Sequence, residues 1–151
     1  MECLGIHAGQ CPNERIAILI DGPNSNRMAE RMAIRFDYIK LISMLASGRK
    51  VVIRNIYCKH PSNGKCRRFY RYLKMNCLSV VIGLLGENDI DEYLIEDIFI
   101  YAERDDVDTI IVVAGDGDYK NSLEIAHKKY GKKIEIVAIE EMRNQNYLNN
   151  S

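Results

Sequence analysis

An α/β fold with one parallel, doubly wound sheet is what this 151-residue sequence predicts, and three observations carry the prediction. Short apolar runs rich in Val, Ile and Leu recur along the chain and read as buried strands. Helical patterns separate them, the alternation expected of a parallel sheet with helices on both faces. Two of the runs end in an aspartate, at the strand ends where open α/β sheets place their ligands. Right-handed crossovers and a strand order of 3-2-1-4-5 would set strands one and four side by side at the switch point.

Residues 1–14 contain Gly, Pro and Asn without periodicity and read as a flexible leader before a domain at 15–140. Cys3, His7 and Cys11 are spaced like ligands on a helix, but Gly5 and Gly9 oppose a helix there, and structural zinc wants four ligands. Ile16–Ile20 is the first strand, followed by Asp21 and a turn at Gly22-Pro23-Asn24. Asn24 and Asn26 are either turn formers or groups that orient a water or a phosphate. Asp37 reads as the N-cap of a helix whose Tyr38, Leu41, Ile42 and Leu45 share one face, with Gly48 as its stop.

Lys50–Tyr57 is the second strand, and His60–Gly64 a loop. Lys65–Asn76 reads as a helix with Phe69, Leu73 and Tyr72 inward, and Lys65, Arg67, Arg68, Tyr70, Arg71 and Lys74 outward. Cys58, His60 and Cys66 match no standard metal-finger spacing. Leu78–Leu85 is the third strand and Gly86-Glu87-Asn88 a loop. Asp89 with Glu92 resembles a capping box for a helix running to about Arg104. Asp97 lies six residues after Asp91, which turns a helix by about 600°, so the two serve one site only if Asp91 lies outside the regular helix. That places Asp97 behind Asp91 as a candidate, as a supporting acid. Asp105-Asp106-Val107-Asp108 is an acidic turn. Thr109–Ala114 is the fourth strand, Tyr119–Tyr130 a helix stopped by Gly131, Ile134–Ile139 the fifth strand, and 141–151 a polar tail.

Composition bounds the function. The chain is 47% hydrophobic and 28% charged, the profile of a soluble globular protein, with no apolar run long enough to span a bilayer. With no export signal and five cysteines, an odd number, the expectation is a cytoplasmic protein with reduced thiols. Net charge is zero but unevenly spread. Tyr38 to Gly86 holds no acid, yet carries Lys40, Arg49, Lys50, Arg54, Lys59, Lys65, Arg67, Arg68, Arg71 and Lys74. Glu87 to Asp118 holds twelve acids and one base, Arg104. The first block suggests a polyanion contact and the second a cation site; two ordinary solvated surfaces are the plainer alternative. If strands one and four are neighbours, Asp21, Asp116 and Asp118 converge, and close carboxylates repel unless a cation offsets them.

The ordered motifs Asp21-Gly22-Pro23-Asn24, Phe36-Asp37-Tyr38-Ile39-Lys40-Leu41, Asp91 with Asp97, and Ala114-Gly115-Asp116-Gly117-Asp118-Tyr119 are similar to the NYN branch of the PIN-like nucleases. The resemblance covers about Arg15 to Glu140 and implies a Rossmann-like, PIN-like domain. In that family the late signature reads Ser-Gly-Asp-x-Asp-Phe. Here Ala114 replaces the Ser, and Lys120-Asn121-Ser122-Leu123 lacks the Pro-Leu that often follows. The resemblance implies metal-dependent cleavage of RNA, single-stranded or structured. Asp21, Asp91, Asp116 and Asp118 would then be the metal-binding and catalytic carboxylates. Oxygen-only ligands suit Mg²⁺ or Mn²⁺. Asn24 and the basic face of Lys65, Arg67, Arg68, Arg71 and Lys74 would hold the RNA backbone.

Other readings compete. The chain could be an RNA-binding or regulatory module of this fold with a weak or silent site. A phosphatase of the haloacid-dehalogenase kind wants a second Asp two residues after the first, where this chain has Pro23. A dinucleotide fold wants a third glycine where Lys120 stands. An exposed sheet edge or the Tyr-rich helix would offer the surface for a homodimer.

Overall fold

The fold was described from a computed structural model, which describes residues 13–31, 34–83, 87–114, 119–138 and 148–150. Five strands form one fully parallel sheet: β1 (Arg15–Asp21), β3 (Lys50–Cys58), β4 (Ser79–Ile82), β5 (Thr109–Val113) and β6 (Lys133–Val137). Their order is β4-β3-β1-β5-β6, the expected 3-2-1-4-5. β1 is central because it can be buried on both sides: Ile16 through Ile20 are all inaccessible to solvent. Successive residues supply opposite cores. Ile16, Ile18 and Ile20 face one apolar layer, and Ala17 and Leu19 the other.

The first layer is closed by α2 (Tyr38–Ala46) and α3 (Gly64–Met75). Asp37 caps α2 as expected, its side chain accepting from the Lys40 N–H at 3.0 Å, and Tyr38, Leu41, Ile42 and Leu45 are buried. Asn63 caps α3 through the Cys66 N–H at 2.9 Å. Leu73 is buried and Phe69 packs beside it, as predicted, but the tyrosines exchange roles. Tyr72 is exposed rather than inward. Tyr70 is half-buried against the core and donates to the Lys59 carbonyl at 2.8 Å. The opposite layer is closed by α4 (Glu87–Ala102) and α5 (Lys120–Tyr130). Ile90, Leu94, Ile98 and Ala102 recur every fourth residue along α4 and make one stripe against the sheet.

Five expectations change. The Gly22-Pro23-Asn24 turn is instead the first turn of α1 (Gly22–Arg31), where proline is tolerated because its missing N–H has no intrahelical partner. Glu87 and Asn88, read as loop, already belong to α4, so Asp91 lies inside the regular helix and Asp89 is not its cap. Glu14, assigned to the leader, is part of a buried ion cluster beneath the sheet: it accepts from Arg49 at 3.0 Å and from Thr109 at 2.5 Å. Arg49, counted in the basic block, is buried and bound to Glu135 at 2.6 Å, so it is not a polyanion contact. A second, small sheet joins β2 (Ile34–Phe36) antiparallel to β7 (Leu148–Asn150), so the polar C-terminal stretch contributes a strand. Among the described residues no helix is long and apolar enough to cross a membrane.

Candidate carboxylate site

The site lies at the carboxyl ends of the central strands. Asp21 closes β1 and continues the Ala17–Leu19 alternation, so its side chain faces the α4 layer. It is 6% exposed. Its Oδ1 accepts the backbone N–H of Asn24 at 3.0 Å, an N-terminal capping contact that places a carboxylate at the positive end of α1. Gly22 permits this arrangement. A Cβ there would lie 2.5 Å from the Tyr57 carbonyl oxygen, so any side chain would push β1 and α1 away from β3.

Asp91 approaches from α4. Tyr119, the residue before α5, joins the two acids: its hydroxyl lies 2.8 Å from Asp21 Oδ2 and 2.7 Å from Asp91 Oδ1. The ring is 2% exposed and packs in the α4–α5 core. Burial and the adjacent Asp21 and Asp91 charges raise the Tyr119 pKa far above the ordinary tyrosine value, so the phenol stays protonated. Sequence reasoning missed this residue. The available signal was a tyrosine where the resembled signature has phenylalanine.

Asp97 does not join this pair. It accepts from the Tyr57 hydroxyl at 2.7 Å, while the Asn55 amide donates to Tyr57 at 3.1 Å and to the Tyr101 hydroxyl at 2.8 Å. This second network sits on β3 and α4 and holds Asp97 as a structural acid. Its sequence signal was an asparagine, Asn55, in the mainly apolar second half of the strand.

Asp116 and Asp118 lie outside the described residues, as do Cys3, His7 and Cys11. The strand that leads toward the two aspartates is nonetheless placed. β5 pairs with β1 so that Val113 is opposite Ile20. Among the described residues no three His, Cys, Asp or Glu side chains come together as a metal cluster. The donor chemistry present still suits a hard divalent cation. Two carboxylates converge, and Asn24 Oδ1 is buried without a hydrogen-bond partner among the described residues. The backbone of Asn24 is tied to Asp21 in the first turn of α1.

On α3, Lys65, Arg67, Arg68, Arg71 and Lys74 are all exposed, and among the described residues none is paired with an acid. Cys58 is buried, which pushes its thiol up to about 12 and leaves it unreactive.

No curated protein matches the chain. The chain is similar in structure to a crystallised protein of unknown function from Vibrio parahaemolyticus, with a TM-score of 0.77 and 26% sequence identity. That similarity covers 88% of this chain and 86% of the Vibrio chain. The model of the NYN domain family matches residues 15–151, nearly the whole sequence. The chain belongs to the NYN domain family, whose fold is of the PIN-like nuclease type.

Proposed function

We propose that this NYN protein is a metal-dependent ribonuclease that hydrolyses RNA phosphodiester bonds at the carboxylates beyond β1 and β5. The observation that carries the reading is the convergence of Asp21 and Asp91 on one phenol oxygen at the carboxyl edge of the sheet. Two carboxylates from distant parts of the chain meet there, Asp21 buried and Asp91 half-buried, an arrangement that a cation stabilises.

In this reading Asp21 and Asp91 would hold Mg²⁺ or Mn²⁺, Asp116 and Asp118 would complete the set, and the Asn24 side-chain oxygen would be available to orient a water or a phosphate. The cation, when bound, supplies activation of a water and stabilisation of charge on the leaving oxygen. The protein's own part is positional. The α1 terminus holds Asp21 in one orientation through the Asn24 N–H, and α4 holds Asp91 opposite. The exposed cations of α3 bind the RNA backbone, which gives affinity with little sequence preference.

The test is cleavage of a labelled, partly single-stranded RNA with Mn²⁺, with Mg²⁺ and with EDTA, run beside Asp21→Asn and Asp116→Asn. Cutting that needs metal and is lost in both variants is expected. Cutting that survives EDTA, or survives both substitutions, refutes the reading. Salt-sensitive RNA binding without cutting in either metal would instead assign a regulatory RNA-binding module.

A further inference from the structure

We infer that the Tyr119 hydroxyl is a positioning residue of this chain, a fixed tie that sets the spacing of Asp21 and Asp91 before a cation arrives. The inference rests on the metal-site reading above and goes beyond it, because it assigns a role to a residue that is not itself a ligand. Three observations support it. The hydroxyl contacts one oxygen of each acid at 2.8 and 2.7 Å. A phenol has one proton, so that proton is shared by two acceptors and draws both carboxylates toward a single point. The ring is 2% exposed and belongs to the same buried apolar cluster as Ile90, Leu94 and Leu123, so the hydroxyl cannot swing away without opening the core.

The tie also uses connectivity. Tyr119 stands between the segment that carries Asp116 and Asp118 and the start of α5. Its two contacts tie the start of α5 to β1 and to α4. A neutral donor between Asp21 and Asp91 lessens their repulsion without adding a competing charge. Phenylalanine would fill the same core space and supply none of this. Outer partners that orient metal ligands typically contribute about 10–100-fold to metal affinity.

The experiment compares full-length wild type, Tyr119→Phe and Asp21→Asn by calorimetric titration with Mn²⁺, with far-UV circular dichroism to confirm folding. A second arm follows urea unfolding in EDTA for wild type, Tyr119→Phe, Asp91→Ala and the double variant. Tyr119→Phe is expected to bind Mn²⁺ about tenfold more weakly. Its cleavage at saturating Mn²⁺ should return to within about twofold of wild type, so the loss lies in metal affinity and not in turnover. In EDTA the urea midpoints of the two single variants should fail to add in the double variant. Tyr119→Phe binding Mn²⁺ as tightly as wild type, or more tightly, overturns the tie and leaves the metal-site reading intact. Wild type that binds no Mn²⁺ overturns the metal-site reading. The tie then stands or falls on the EDTA arm alone, and additive midpoints there overturn it.

Discussion

Substituting Arg49→Met should remove much of the stability of this domain without touching its chemistry. The Arg49 side chain is 2% exposed and Glu135 is 3% exposed. All five guanidinium N–H groups are committed. Nη1 donates to Glu14 at 3.0 Å and to Glu135 at 2.6 Å, and Nη2 to Glu135 at 3.1 Å and to the Leu45 carbonyl at 2.8 Å. Nε donates to the Ala46 carbonyl at 3.2 Å, so the same side chain also closes the C-terminal turn of α2. Methionine would leave a buried carboxylate and two helix-end carbonyls without these partners. Glu14 would keep Thr109 and Lys133, so the orphaned group is chiefly Glu135. Breaking a buried pair from one side costs about 3–5 kcal/mol, against a total of about 5–15 kcal/mol for a typical domain. With a urea slope of roughly 2 kcal/mol per molar, the midpoint should fall by about 1.5–2.5 M. Arg49→Lys should fall between, since it keeps the charge and loses the fork. Removing both members, Arg49→Met with Glu135→Met, should recover part of the loss, because no buried charge is then left alone at Glu135. A midpoint shift under about 0.5 M in Arg49→Met, or a double variant weaker than the single one, would refute this account.

Three further outcomes are expected. Gly22→Ala should cost about 1–3 kcal/mol by urea unfolding, because its Cβ meets the Tyr57 carbonyl oxygen at 2.5 Å, and cleavage should fall as Asp21 is displaced. Asp108 is held below the ordinary carboxylate range by its hydrogen bond from Arg15. Its contribution is therefore present above the unfolded-state pKa of about 3.9 and is lost as pH falls through the folded value. Asp108→Asn should then be less stable than wild type at pH 7, with the gap closing in acid as followed by thermal unfolding. Replacing Arg67, Arg68 and Arg71 together with Ala should weaken RNA binding and flatten its salt dependence, by about 0.7 in log–log slope for each single-strand phosphate that is no longer neutralised. An unchanged slope would remove α3 from the interface.

Much of the sheet was legible because its strands are apolar on both faces, and Ile16–Ile20 or Thr109–Val113 can be little else. Their alternation with helices then left few topologies, and the observed strand order is the expected one. α2 was legible from Asp37 and its apolar spacing. α1 was not, since Gly-Pro-Asn signals a turn locally, and only the packing of Gly22 against β3 shows why a helix starts there. Charge counting misjudged Arg49 for a related reason. A run of bases says nothing about which of them points under the sheet, and this one closes a cluster with residues 35 and 86 positions away. Asp21 and Asp91 could be chosen as candidates from strand ends and from the family resemblance. The phenol between them could not, because a tyrosine reads as a core residue until its oxygen has partners.

The division of labour on α4 follows from the same geometry. Asp91 comes one residue after Ile90 and Asp97 one residue before Ile98, and both isoleucines lie on the buried stripe. One residue is about 100° of helix, so the two acids stand on opposite flanks of that stripe. The helix lies over the sheet, and each flank therefore looks toward different strands. One flank brings Asp91 to Tyr119 and to the end of β1; the other brings Asp97 to Tyr57 on β3. Asp21 and Tyr57 are themselves paired in register across β1 and β3. A single helix thus spans two adjacent polar networks, and Asp91 and Asp97 are each held by a tyrosine of their own. Asp91 did not have to leave the helix to reach the site, because Asp97 was never required to reach it. Asp97 anchors α4 to β3 through Tyr57, and that anchorage fixes the rotation of the helix which aims Asp91 at Asp21.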